Sequence, residues 1–150
     1  MAQRINLKRL LNDRTGTSLI ELAILIPVML FLSCGVMDFS RVVYAGIEIA
    51  GAARAGVQYG ALTPGNAGNA SGMEQAALAD ATDLGNSVTA AASNFCVCSG
   101  STVDCSSTCN GTTPDGYVTV TANYTFNTLL HYPFLPQQMV LSRTAKMRVQ

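Results

Sequence analysis

The chain has 150 residues, with 49% hydrophobic and only 12% charged side chains and a formal net charge of zero, against about 25% charged residues in an ordinary soluble domain. The zero is a balance of two unlike parts: residues 1–16 hold Arg4, Lys8, Arg9 and Arg14 against Asp13, and the remainder carries an equal excess of acidic residues. Outside that basic start, cationic residues gather only at Arg143, Lys146 and Arg148, so nucleic-acid binding has no electrostatic footprint.

Residues 1–16 read as a short, polar, basic leader. From Leu22 to Met37 there is no charged side chain. An uncharged apolar run with basic residues on its N-terminal side predicts a membrane span with that side cytoplasmic, here at about 19–37. Residues 17–60 read as one helix, rich in Ala, Leu, Ile and Met and interrupted only by Pro27. Such a helix would be roughly 65 Å long, and only about 30 Å crosses the hydrocarbon core. From Asp38 onward it would project beyond the bilayer, with Val42, Val43, Ile47, Ala50, Ala53 and Val57 as an apolar stripe in need of cover. Gly46, Ala50, Gly51, Ala55, Gly56 and Gly60 add small-residue spacings. These suit either helix association between subunits or close seating of the chain's own head.

Residues 61–72, with Pro64, Gly65, Gly68 and Gly72, read as a linker, and 73–150 as a small α+β head. Ala77, Leu78, Ala81, Leu84, Val88, Ala91, Ala92 and Phe95 recur at spacings of three and four, which predicts a second helix over 73–95. Residues 117–126 and 138–149 are rich in β-branched and aromatic residues and predict the strands of an antiparallel sheet. Between them HYPFLP, with Pro133 and Pro136, predicts a loop.

Chemistry-bearing residues are few. Glu21 is a lone acid beside the apolar run, and an acid in a span is unfavourable by roughly 2.5–3.5 kcal/mol when central. It calls for a partner. Five residues before it stands Gly16, which ends the basic leader. Cleavage between Gly16 and Thr17 would give Thr17 a free amine, which Glu21 of a neighbouring subunit could pair with. Pro27 removes a backbone donor and frees the Ala23 carbonyl, giving either a simple kinked span or a site of local repacking.

Cys96, Cys98, Cys105 and Cys109 fall within fourteen residues. Outside the cytoplasm that even cluster predicts disulfides. Cys96 and Cys98 are too close to bridge each other, leaving 96–105 with 98–109, or 96–109 with 98–105. A four-cysteine zinc site is the rival, disfavoured by the tight C-x-C opening. Acylation at Cys34 would make the chain lipid-anchored, although the residues before it suit that signal poorly. His131 has no second histidine and no nucleophile at catalytic spacing. No cofactor motif and no enzyme arrangement is legible.

In an ordinary secretory signal the cut follows the apolar region; here the candidate site precedes it. That order resembles the prepilin signal of type IV pilins. The segment from Gly16 to Gly60 is similar to the TadE-like family of pseudopilins of tight-adherence pili. The likeness rests on Glu21-Leu22-Ala23, Ile26-Pro27, Gly35 with Asp38-Phe39 and Arg41, and Ala52-Ala53-Arg54-Ala55-Gly56. Cys96-Val97-Cys98, the Tyr117–Val120 stretch and the Leu141-to-Val149 ending extend it.

The resemblance implies an α+β pilin-like fold and a minor pilin cut by a prepilin peptidase. Implied partners are other TadE- or TadG-like pseudopilins, the major Flp-type pilin and the inner-membrane platform. The implied location is the bacterial inner membrane, with the N-terminus cytoplasmic and the head periplasmic. An unprocessed bitopic anchor and a lipid-anchored binding protein starting at Cys34 remain as alternatives.

Overall fold

A computed structural model describes residues 17–132 and 136–150. The basic leader, Gly16 and Pro133 lie outside the described residues. The chain divides into two compact units, one ending at Asp38 and the other running Phe39–Gln150.

Helix α1 runs Thr17–Ala61 and is continuous through Pro27. Its end is set by Pro64, which forces the residue before it out of helical geometry; Thr63 is extended at φ −149° and ψ 153°. Thr63 then caps the single turn α2 (Pro64–Ala67), its Oγ1 accepting from the Asn66 amide at 3.1 Å. Asn69 caps α3 (Ala70–Asp80) in the same manner, accepting from the Gly72 amide at 3.0 Å. A 3₁₀ segment, Thr82–Ser87, follows.

The helix expected over 73–95 is half helix and half strand. α3 ends at Asp80, and the chain turns through Gly85 at φ 66° into strand β1 (Val88–Cys98). That φ favours glycine and breaks any helix passing through it. The apolar positions of 88–96 fit both periods, since Val88, Ala90, Ala92 and Cys96 also alternate by two. Pairing decides between them. β1 pairs with β3 (Asp115–Asn127) in unbroken antiparallel register from Val88 opposite Tyr124 to Val97 opposite Asp115. A helix there would leave the β3 backbone edge unpaired.

Strand β3 (Asp115–Asn127) contains the first strand read from sequence, and β4 (Gln138–Arg148) covers the second except for its last residue. A short β2 (Ser101–Val103) completes an antiparallel sheet of order β2-β1-β3-β4. The free edge of β4 carries Arg143, Lys146 and Arg148, charges of the kind that discourage edge-to-edge pairing. Lys146 also lies over the outer face, its Nζ 4.5 Å from the ring centres of both Phe95 and Tyr117, which stack at 5.7 Å.

The inner face of β3 presents Val118, Val120, Ala122 and Phe126, all essentially buried. The Phe39–Ala61 part of α1 lies on this face through Ala45, Ile49, Ala52, Ala53 and Val57. The apolar stripe expected from sequence is therefore corrected. Ala53 and Val57 are buried, but Val43 and Ile47 are 46% and 65% exposed. Size chose the face. Gly56 and Gly60 sit on it, and a side chain at Gly56 would come within 2.9 Å of the Met73 carbonyl and 3.0 Å of Val120. The small residues thus serve close seating of the chain's own head.

Direction follows from the same contacts. Val118 faces Gly60, Val120 faces Gly56, and Phe126 lies beneath Arg41. β3 therefore runs antiparallel to α1. Its start is tied to the end of the helix, where Val149 donates to the Gly116 carbonyl and Gln150 to the Ala61 carbonyl.

Candidate functional site

The residues singled out in sequence fall into two groups, one in each compact unit. Thr17, Glu21 and Pro27 lie on the first part of α1. Thr17 and Glu21 are four residues apart, which places them one above the other on a helix, and both are exposed. Around them the helix exposes large apolar side chains on all sides: Leu19 at 70%, Ile24 at 68% and Phe31 at 56%. Among the described residues α1 is the one helix long and apolar enough to cross a bilayer, and its most apolar window is not buried inside the protein. An all-round apolar surface of that size is unfavourable in water and favourable in lipid. Ser33, the polar residue of this run, is satisfied internally: its hydroxyl donates to the carbonyls of Met29 and Leu30, each at 2.9 Å.

The second group is the cysteine loop. Cys96 pairs with Cys105 and Cys98 with Cys109, at Cα separations of 5.0 and 5.7 Å. This is the first of the two connectivities left open by the sequence, and it consumes the four thiols a zinc site would need. The bridges interleave and fasten the end of β1 to a loop of serine, threonine and glycine. Within that loop Asp104 accepts from the Ser106 amide at 2.9 Å and hydroxyl at 2.7 Å. The backbone bond first, then the hydroxyl, holds its carboxyl below the usual carboxylate range. Cys34 carries a free thiol. His131 is exposed.

Between this loop and α2 lies an open crevice of about 500 Å³, lined by Asn94, Phe95, Pro114, Tyr117 and Arg148 among others. Arg148 pairs there with Asp115. Both side chains are more than half exposed, so the pair adds little to stability. At the other end of the sheet Arg41 lies 5.1 Å above the Phe126 ring, and the Tyr44 hydroxyl donates to Asp83 at 3.4 Å. Glu48, partial burial and Asp83 together raise the Tyr44 pKa. No group of three or more potential metal ligands is found among the described residues, and neither end assembles a nucleophile with a base.

Residues 16–58 match the family model of TadE-like proteins. The chain carries a TadE-like N-terminal region. The match begins at Gly16, the residue that ends the basic leader, and spans the apolar run together with the helix segment seated on the sheet. No curated protein and no solved structure matches the chain.

Within the TadE-like region, the sequence singles out Glu21, Pro27, the apolar run and the small residues, and of the two uses left open for Gly56 and Gly60 the structure shows close seating of the chain's own head. The available signal was their four-residue spacing beside Ala52, Ala53 and Val57. It marks one helix face as the narrowest, hence the one a sheet can approach most closely. Arg41 over Phe126 had no sequence signal, because it joins residues 85 positions apart.

Proposed function

We propose that this protein is a minor pilin, or pseudopilin, of a tight-adherence pilus, with a structural and not a catalytic role. The observation that carries the reading is the position of the family match. It starts at Gly16, between the basic leader and an exposed apolar helix in which Glu21 is the fifth residue. In this reading a prepilin peptidase cuts the Gly16–Thr17 bond on the cytoplasmic side, and residues 17–37 stay in the inner membrane. The head folds in the periplasm, where the Cys96–Cys105 and Cys98–Cys109 bridges form. Other TadE- or TadG-like subunits, the membrane platform and the major pilin are its partners.

Glu21 then has a defined task. Its charge is costly in lipid unless paired, and the amine created on Thr17 supplies a partner when helices of two subunits lie side by side. Pairing fixes their axial register. Mass spectrometry of the protein purified from membranes tests the cut: the mature chain is expected to begin at Thr17. A chain that keeps residues 1–16 would instead identify an unprocessed bitopic anchor, and one beginning at an acylated Cys34 a lipoprotein. A second measurement is pilus yield in a Glu21→Ala strain. Cleavage should persist while surface pili fall at least about tenfold, the equivalent of about 1.4 kcal/mol per assembly step. Unchanged piliation would remove Glu21 from assembly.

A further inference from the structure

The two sides of the sheet are finished differently, and hydrogen-bond parity shows how. The Val149 amide donates to the Gly116 carbonyl at 2.9 Å, and the Thr128 amide to the Gln137 carbonyl at 3.1 Å. These pairs bracket a β3–β4 ladder in unbroken register from Tyr117 opposite Arg148 to Asn127 opposite Gln138. In an antiparallel ladder every second residue turns its N–H and C=O to the partner, and the residues between turn theirs away. Odd-numbered residues of β4 therefore bond to β3. Val140, Ser142, Thr144, Lys146 and Arg148 point their backbone groups outward, and all five are exposed. Their side chains share the outer face of the sheet, where Thr144 Oγ1 lies 2.9 Å from the Thr121 hydroxyl.

The same parity turns the Ala92 amide of β1 outward, and there it is occupied: it donates to Glu74 Oε1 of α3 at 3.2 Å. α3 packs beside β1, and β2 pairs with Cys96–Cys98. No strand lies beyond β4 among the described residues. The Ser142 carbonyl accepts from the adjoining Arg143 Nη1 at 2.9 Å, a contact that leaves the Ser142 amide in place. β4 is about 34 Å long at the usual rise per residue, and an unpaired edge of that length is a template for another strand.

The chemistry of the edge selects the strand. β4 holds Arg143, Lys146 and Arg148 and no acidic residue. Lys146 and Arg148 are two positions apart on one face, so an added strand sets residues of the same spacing beside them. Opposite charges across such a pair stabilise it and like charges destabilise it. Asp115 engages Arg148 from the β3 side. Lys146 rests over the Phe95 and Tyr117 rings and has no ion-pair partner among the described residues. A second copy does not answer this edge: β4 laid on β4 offers no acid to Lys146 in any register.

We propose that the β4 edge takes up an extended segment of a partner protein as a further strand, one that carries acidic residues two positions apart to meet Lys146 and Arg148. Backbone hydrogen bonds make the attachment, and the charges choose the segment. The proposal concerns the Phe39–Gln150 unit alone and stands whether or not the Gly16–Thr17 bond is cut.

Amide exchange followed residue by residue in the full chain, in detergent, tests it. Without peptide, the Leu141, Arg143 and Ala145 amides should exchange slowly and those of Ser142, Thr144 and Lys146 quickly. The probe is a blocked peptide, Thr-Val-Glu-Val-Glu-Val-Thr-Val. In large excess it should slow the outward amides about tenfold or more and leave the inward ones unchanged. The same peptide with its backbone amides N-methylated keeps the charge and loses the donors, and should protect nothing. Thr144→Pro removes an outward N–H at an edge position where proline is tolerated, and should abolish protection at Ser142 and Lys146. Lys146→Glu, which leaves the ladder untouched, should weaken the glutamate peptide about tenfold and favour its lysine counterpart. Equal protection by the N-methylated peptide would overturn strand addition, and equal protection by the lysine peptide on the unaltered chain would overturn the acidic partner. Protection that rises with protein concentration in the absence of peptide would give the edge to a second copy and overturn the proposal. No protection by the glutamate peptide would overturn it outright.

Discussion

Replacing Gly56 with leucine is expected to destabilise the head by about 3 kcal/mol, at the upper end of overpacking costs. A first side-chain carbon there would lie 2.9 Å from the Met73 carbonyl oxygen and 3.0 Å from Val120. The carbonyl belongs to α3 and the valine to the middle of the sheet, so neither yields without shifting an element. Even Gly56→Ala should lose stability, although alanine improves helix propensity by about 1 kcal/mol. Gly46→Ala is the matched control. Its added carbon meets only the tip of Arg143 at 3.8 Å, so the propensity gain should appear as a small stabilisation. Thermal or denaturant unfolding of the full chain in detergent, read by the near-ultraviolet signal of the head's tyrosines, measures all three. Equal stability of Gly56→Leu and wild type would show that the helix does not seat on the sheet at this position.

Removing both disulfides, by reductant or by Cys96→Ser with Cys98→Ser, is expected to have the second large effect. The bridges close loops of sequence separation 9 and 11. On the chain-entropy estimate each contributes about 2.5–3 kcal/mol. Because they interleave, the second bridge closes a chain already shortened by the first, so the pair should give less than twice the single value. The loop they hold has almost no apolar residue of its own, and past the short β1–β2 pairing its ladder contact is an isolated bridge of Thr112 with Cys109. Proteolysis should therefore cut residues 99–114 rapidly in the reduced protein while leaving the β3–β4 pair intact. Unfolding midpoints with and without reductant, with mass mapping of the first cuts, check both statements. A reduced protein that resists cleavage in this loop would mean the bridges are dispensable to its order.

Much of the architecture was legible because its determinants are local. The apolar run, Pro64 at the start of the 61–72 segment, and the β-branched stretches 117–126 and 138–149 each carry their own signal. The failures share a cause. Residues 88–95 satisfy helical and strand spacing at once, and only the pairing with β3, where Val88 lies opposite Tyr124 far along the chain, selects the strand. The buried face of α1 was misjudged because hydrophobicity was weighed and girth was not. Val43 and Ile47 are the more apolar residues, yet glycine and alanine define the face a sheet can reach. The cysteine connectivity is undetermined by spacing and becomes fixed only when β1 and β2 form a hairpin with Cys96 opposite Val103.

The seating of α1 also bears on how this chain can be divided. Val57 stands in one buried cluster with Met73, Ala77, Val118 and Val120, and Ile49, Ala52 and Ala53 stand in a second with Ala81, Val88 and Ala122, while Leu62, Thr63 and Gly65 are exposed. A nick at that exposed stretch would sever the backbone without dismantling the core, leaving two fragments held by complementation. A water-soluble version of the head must accordingly start near Phe39. One begun after the glycine-rich segment would present the bare inner face of β3, and would behave as half of a split protein in search of its helix.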